Sequence, residues 1–153
     1  MLIALVERCA ASGFERHAWQ LAWSLTIFLD RQGGWHDQLA VQRTALVAAR
    51  RSGDPAGQAH AHRSLARAQA RLGRLDEAPG QLQRALELFQ GLDDLANQAH
   101  TCLDLAEMAD RQGRRTEVVE HAEVALTLYR MAGHRYGRGD GPERDRVVPR
   151  PTE

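Results

Sequence analysis

The stretch AGQAHAHRSLARAQARLGRLDEAPGQLQRALELFQGLDD, Ala56 to Asp94, holds two helical patterns with a break between them. Just ahead of it, Asp54 is a good N-cap, and Pro55 takes the first helical position, where the N–H that proline lacks would have no partner anyway. Ala61, Leu65, Ala68 and Leu72 then fall on one helix face. Gly73 can adopt the left-handed conformation that ends such a helix. Leu75, Ala78, Leu82, Ala85, Leu86 and Phe89 make a second stripe of helical period. Asp76 and Glu77 fall in the first turn of this second helix, where carboxylates favour the positive end of the dipole, and Asp93 and Asp94 are placed to cap the next helix. Pro79-Gly80 interrupts the second helix near its start. The hydrogen bond lost to proline is marginal there and glycine costs about 1 kcal/mol relative to alanine, so a kinked or frayed start is expected in an intact fold.

Outward from this stretch the same signals recur at a spacing of 40 residues. Gly33, Gly73 and Gly113 align, as do Leu25, Leu65 and Leu105, and Arg31, Arg71 and Arg111. Ala45-Leu46, Ala85-Leu86 and Ala125-Leu126 keep step, and Gln58-Ala59-His60 returns as Gln98-Ala99-His100. The third unit carries Leu105 and Ala109, then Val118, Ala122, Leu126 and Tyr129. A fixed period of this size is the signature of stacked repeats, and no segment alternates as a strand would, so the fold class is all-α. The expected organisation is a helix over residues 2–11, three full repeats at about 15–53, 55–92 and 95–133, and a Pro/Gly/Arg-rich tail over 134–153 whose glycines and prolines leave it disordered.

The mid-helix pairs Leu65-Ala66 and Leu105-Ala106, the glycine turn, and GRLDEAPGQLQRALELF together resemble the tetratricopeptide repeat (TPR) family. Gly73, Leu75, Ala78 and Ala85 match its pattern. Ala66 and Ala106 stand where the family has glycine, and the unit is longer than the common one of about 34 residues. The resemblance covers about residues 1–135. It implies a right-handed α-solenoid of antiparallel helix pairs, a TPR superhelix of three full repeats plus an N-terminal half-repeat helix, with the first helices lining a concave groove. The longer unit, with ALELF followed by GLDD, is similar to the C-terminal TPR arrays of actinobacterial antibiotic-regulatory transcriptional regulators, which also carry a nucleotide-binding switch domain of the NB-ARC type. What this implies is a non-catalytic protein–protein interaction module of a transcriptional regulator. Its partner would be a protein or peptide segment, or an NB-ARC-type switch domain of the same regulator. The alternative is a TPR sensor that binds a small peptide or metabolite in the groove.

On this register the groove draws Gln20, Trp23, Ser24, Ile27 and Arg31 from the first unit. The second supplies His60, Arg63, Arg67 and Arg71, and the third His100, Leu103, Asp104, Glu107 and Arg111. Trp23 and Ile27 make an apolar anchor of the kind that dominates binding energy. Arg63 and Arg67 suit carboxylates or an acidic segment. Two competing expectations stand beside these: the arginines and carboxylates of neighbouring units pair with each other, and the N-terminal helix covers Trp23. The chaperone-binding TPR subclass clamps a C-terminal carboxylate with Lys and Asn, and this groove has neither.

Composition narrows the function classes. The chain has 153 residues, enough for one domain with a sizeable core. Twenty basic side chains balance 20 acidic ones, and the absence of a basic excess weighs against direct nucleic-acid binding. Every basic residue is Arg, so no lysine can form a Schiff base. Cys9 and Cys102 are too few for a disulfide framework and read as reduced thiols in the cytoplasm. The opening MLIALVERCAA has too short an apolar run for a signal peptide or membrane span. His60 and His62 point to different helix faces, and His60 and His100 sit on neighbouring helices with no further ligand at tetrahedral spacing, so no metal or cofactor is expected. No nucleophile–base pairing is visible, and GRGDG, which contains Arg138-Gly139-Asp140, lacks the strand and helix of a phosphate loop, so the chain reads as no enzyme. Leu2–Ala10 falls in the register of a second helix whose first is absent, which makes Leu2, Leu5 and Val6 a candidate self-association surface. The polar capping helices that end such arrays are missing on both sides, and the expectation is a truncated or frame-shifted piece of a longer protein.

Overall fold

A computed structural model describes the backbone of residues 2–137 and the side chains of residues 3–134. The described residues form seven α-helices and no strand: α1 (Leu2–Ala11), α2 (Glu15–Gln32), α3 (Trp35–Arg51), α4 (Pro55–Arg71), α5 (Ala78–Gly91), α6 (Leu95–Arg111) and α7 (Arg115–Gly137). The all-α class read from the sequence is the one observed.

The breaks between helices follow from local chemistry. They fall in two series spaced by 40 residues, Gly33, Gly73 and Gly113 in one, Gly13, Gly53 and Asp93 in the other, and all six have positive φ. At Asp93 (φ 55°) a residue with a Cβ holds the conformation that glycine holds at 13 and 53. The following residue then donates its N–H back across the helix end: Asp54 to Ala49 O at 2.9 Å, Arg74 to Gln69 O at 2.9 Å, Asp94 to Phe89 O at 3.0 Å and Arg114 to Ala109 O at 2.8 Å. This satisfies carbonyls that the helix end would otherwise orphan. Asp54 and Asp94 cap α4 and α6 as expected, each carboxylate accepting from the N–H three residues on, Gly57 and Asn97, at 3.0 Å.

The start of α5 differs from the sequence expectation. The helix begins at Ala78, so Asp76 and Glu77 lie in the preceding turn and not in its first helical turn. Pro79 explains the delay: proline fits a helix only in its opening turn, and the late start puts it there. Glu77 takes another role, accepting a hydrogen bond from Gln69 Nε2 at 2.9 Å.

Consecutive helices pack against one another along the chain, and in addition α2 approaches α4 and α4 approaches α6. The first helices of the three units therefore form a row. Alanines at 22, 59, 61, 66, 68, 85, 99 and 109 are all buried, which lets the helices come close. The larger core side chains are Val6, Leu39, Leu46, Leu65, Leu82, Phe89, Leu105 and Met108.

Both ends depart from the expected pattern. α1 packs on α2 and also on α3, whereas no later second helix approaches the second helix of the next unit. Its inward residues are Ile3, Val6, Cys9 and Ala10, while Leu5 is 47% exposed although its repeat counterparts Ala45, Ala85 and Ala125 are buried. Val6 is fully buried, so it offers nothing to a self-association surface; the Leu2 side chain lies outside the described residues. At the other end α7 runs to Gly137, so residues 134–137 are helical where disorder was expected. Residues 138–153, including Arg138-Gly139-Asp140, lie outside the described residues. In α7 the expected stripe is only partly inward: Val118 and Tyr129 are half-buried, Ala125 and Ala132 are buried, but Ala122 and Leu126 are exposed. The counterparts Leu46 and Leu86 belong to core clusters, each with a following first helix to pack against, and no described helix follows α7.

Candidate binding face

The row of α2, α4 and α6 carries the residues that the repeat register brought together. At its centre is an aromatic cluster. The Trp19 indole Nε1–H donates to Asp54 Oδ2 at 3.0 Å, tying α2 to the capping residue of α4. Its ring stacks on His60, with centroids 6.2 Å apart and planes 13° apart. The Trp23 ring centroid lies 5.0 Å from that of His60, with the planes tilted by 39°, and Phe89 meets His60 edge-on at 5.2 Å. The Trp19 ring rests against the backbone of Gly57 so closely that a Cβ there would sit 2.8 Å from three indole atoms. Burial among these rings is the main reason the His60 pKa is lowered; the Arg63 charge adds to the effect, and Asp94 and Asp54 oppose it. The neutral imidazole is thereby favoured.

Trp23 and Ile27 are 52% and 65% exposed, and α1 does not cover them. They form one wall of a recess of about 310 Å³ whose other wall is His60, Arg63 and Arg67 of α4. A second recess of about 150 Å³ shares Arg67 and continues past Arg71 to Asp104, Glu107 and Arg111. Gln20 and Arg31 are exposed toward the two ends of the α2 face.

The charges on this face pair with one another. Arg63 Nε donates to Asp104 Oδ2 at 2.5 Å, linking α4 to α6, and both side chains are largely shielded from solvent. Arg67 Nη2 donates to Asp30 Oδ2 at 3.2 Å, linking α4 back to α2. Arg111 holds Glu107 within its own helix at 2.7 Å and donates across to Ala70 O at 3.3 Å. The Arg71 guanidinium lies 5.4 Å from the Trp35 ring centroid, within cation–π range. Of the two sequence expectations, pairing across the repeat boundary is therefore present, and covering of Trp23 by α1 is not.

The histidines serve separate surroundings. His100 faces Tyr129 of α7, whose hydroxyl is 2.6 Å from His100 Nδ1, with Leu103 exposed one turn on. His62 is buried with Nδ1 at 2.6 Å from Gln81 Oε1. Burial is the leading cause of a lowered pKa at both. Among the described residues, no group of three or more His, Cys, Asp or Glu could hold a metal ion. Cys9 and Cys102 are free, and burial raises the Cys102 thiol pKa. No described helix is long and apolar enough to cross a membrane.

Three members of the face escaped sequence reasoning: Trp19, Phe89 as its backing, and Asp30. The signal for Trp19 was present, because it stands where the later units have Ala59 and Ala99, facing a glycine where the third unit has Asn97. A large residue gained in one unit and a side chain lost in its neighbour is a packing exchange. No protein-family model matches the chain, and a search of curated proteins finds no match.

Proposed function

We propose that the chain is a TPR-type α-solenoid in which α2, α4 and α6 line a concave groove, and that it acts as a non-catalytic module holding a segment of a partner protein there. The observation that carries this reading is the pair Trp23 and Ile27, large apolar side chains left in solvent on the same face as a ready-made recess. Exposed aromatic anchors beside a pocket are the usual centre of a binding site. The 40-residue repeat of helix pairs and the row of first helices support the solenoid. The face is braced by its own ion pairs, so a partner would meet a preformed surface and lose little free energy to ordering it. Placement in a cytoplasmic transcriptional regulator, with an NB-ARC-type switch domain as partner, rests on the sequence resemblance.

The test is selection of displayed random peptides on the folded chain, followed by binding measurements with Trp23→Ala and Ile27→Ser. Peptides that bind the wild type and lose affinity in both variants, at unchanged melting temperature, are the expected result. Peptides indifferent to both substitutions contradict it. A second reading, a sensor for a small peptide or metabolite, draws on the recess volume, which is at the lower end of small-molecule sites. A thermal shift with cell extract filtered to small molecules, abolished by Trp23→Ala, would favour that reading.

A further inference from the structure

Resting on the groove reading, we infer that the occupant is an acidic segment: an apolar side chain sits against Trp23 and Ile27, and a carboxylate next to it is held by Arg63 and Arg67.

The charges that line the recess point this way. The chain as a whole is neutral. On this face Arg31, Arg63, Arg67, Arg71 and Arg111 lie with Asp30, Asp104 and Glu107, and the capping carboxylates Asp54 and Asp94 act on His60 from the helix starts. Trp23 and Ile27 share their recess with Arg63 and Arg67, and no carboxylate among the described residues lines it.

The hydrogen-bond accounting points the same way. A guanidinium carries five N–H donors. Among the described residues, Arg63 spends only its Nε, on Asp104, and Arg67 spends only Nη2, on Asp30. The terminal nitrogens of Arg63 remain for a ligand. Asp104 fixes Arg63 from behind, as a positioning contact does, and Asp30 does the same for Arg67. A pre-oriented planar fork is suited to bidentate capture of a carboxylate. The Arg63 side chain is only 20% exposed, so water competes for its remaining donors less well than at an open surface. A neutral or basic segment would leave these donors to solvent.

The carboxylate has two chemical sources, an Asp or Glu side chain or the C-terminus of the segment. Short random peptides displayed on phage and selected on the full chain are the probe. Recovered peptides are then synthesised with Asp and Glu changed to Asn and Gln, and separately with an amidated C-terminus. Affinities are measured by calorimetry on the wild type, Arg67→Gln and Asp104→Asn. The expected result is an aromatic or aliphatic residue beside an acidic group in the recovered peptides. Neutralising that group weakens binding roughly tenfold or more, the scale of losing hydrogen bonds to a charged partner. Sensitivity to amidation marks a terminal carboxylate, and sensitivity to Asn/Gln exchange marks a side chain. Arg67→Gln weakens acidic peptides while leaving neutralised ones unchanged, an effect that general damage to the fold would not produce, and Asp104→Asn, which loses the charge that positions Arg63, weakens the acidic ones as well. Peptides that need Trp23 but bind equally well when neutralised, or are basic, overturn the inference and leave the groove reading standing. If no Trp23-dependent peptide is recovered, both fall.

Discussion

Gly57→Ala sets helix propensity against packing, and the structure fixes which wins. Gly57 lies in the first turn of α4, where alanine is favoured over glycine by about 1 kcal/mol on intrinsic grounds. The added Cβ, however, would sit 2.8 Å from Cδ2, Cε2 and Nε1 of Trp19. These atoms belong to a rigid ring, not to the end of a flexible chain, so the indole itself has to move. Overpacking of this kind costs about 1–3 kcal/mol. Movement also strains the 3.0 Å bond from Nε1 to Asp54, a further cost of about 1 kcal/mol. After the propensity gain is subtracted, a net loss of about 1–3 kcal/mol remains, or a melting temperature lower by roughly 3–10 °C. Thermal unfolding followed by circular dichroism reads this directly. Gly80→Ala is the matched control: nothing lies within 4 Å of its added Cβ, so it should hold or raise the melting temperature. A further check reverses the sign. In a Trp19→Ala background, which restores the alanine of the other two units, Gly57→Ala should become stabilising by about 1 kcal/mol. A Gly57→Ala protein as stable as the wild type, with Trp19 in place, would refute the packing argument.

Three further expectations concern other parts of the fold. Gln38 is 1% exposed, and neither side-chain amide atom has a hydrogen-bond partner among the described residues; Gln38→Met should raise stability in urea titration by about 1 kcal/mol, and a loss would mean that the amide is satisfied in solution. At Asp93, with φ 55°, Asp93→Gly should be tolerated while Asp93→Val costs about 1–2 kcal/mol or more, since a β-branched residue is strained there; equal melting temperatures for the two would contradict the backbone assignment. His60, His62 and His100 all have pKa values lowered from 6.5, chiefly by burial, so below pH 6.5 the unfolded chain binds more protons than the folded one. The stability they confer is fully present above pH 6.5 and is lost as pH falls through the lowered values; melting temperature should drop on acidification from neutral, less so in His60→Phe, and a rise would contradict the sign.

Much of the fold was legible because its determinants are local. Asp54 and Asp94 as caps, the glycines that end helices, and the buried stripe of Ala78, Leu82, Ala85 and Phe89 are all set by residues within a turn or two of one another. The first-helix face was legible because a period of 40 puts equivalent positions on equivalent helices. What the repeat could not supply were the places where the units differ. Trp19 against Gly57 is a contact between non-equivalent positions, and copying one unit onto the next hides it. Pro79 shifted the start of α5 because one residue overruled the spacing of its neighbours. Leu126 failed as a core position, and Val6 failed as an unpartnered one, because burial depends on the neighbouring helices in the stack, and repeat register assigns a face without saying what packs on it. Asp30 was passed over because it lies at the edge of the α2 face, and only the length of the Arg67 side chain brings the two together at 3.2 Å.

The central claim is that partners dock on the face of α2, α4 and α6 around Trp23. The chain has three tryptophans, Trp19, Trp23 and Trp35. Their indole N–H groups give three signals in a ¹⁵N correlation spectrum, and a titration with a selected peptide reports on the site without further labelling. The expected result is a Trp23 indole signal that shifts most, with His60, Arg63 and Arg67 following among the assigned residues. A peptide that binds tightly while Trp23 stays unmoved, and shifts instead Val119, Leu126 and Met131 of α7, would contradict the account.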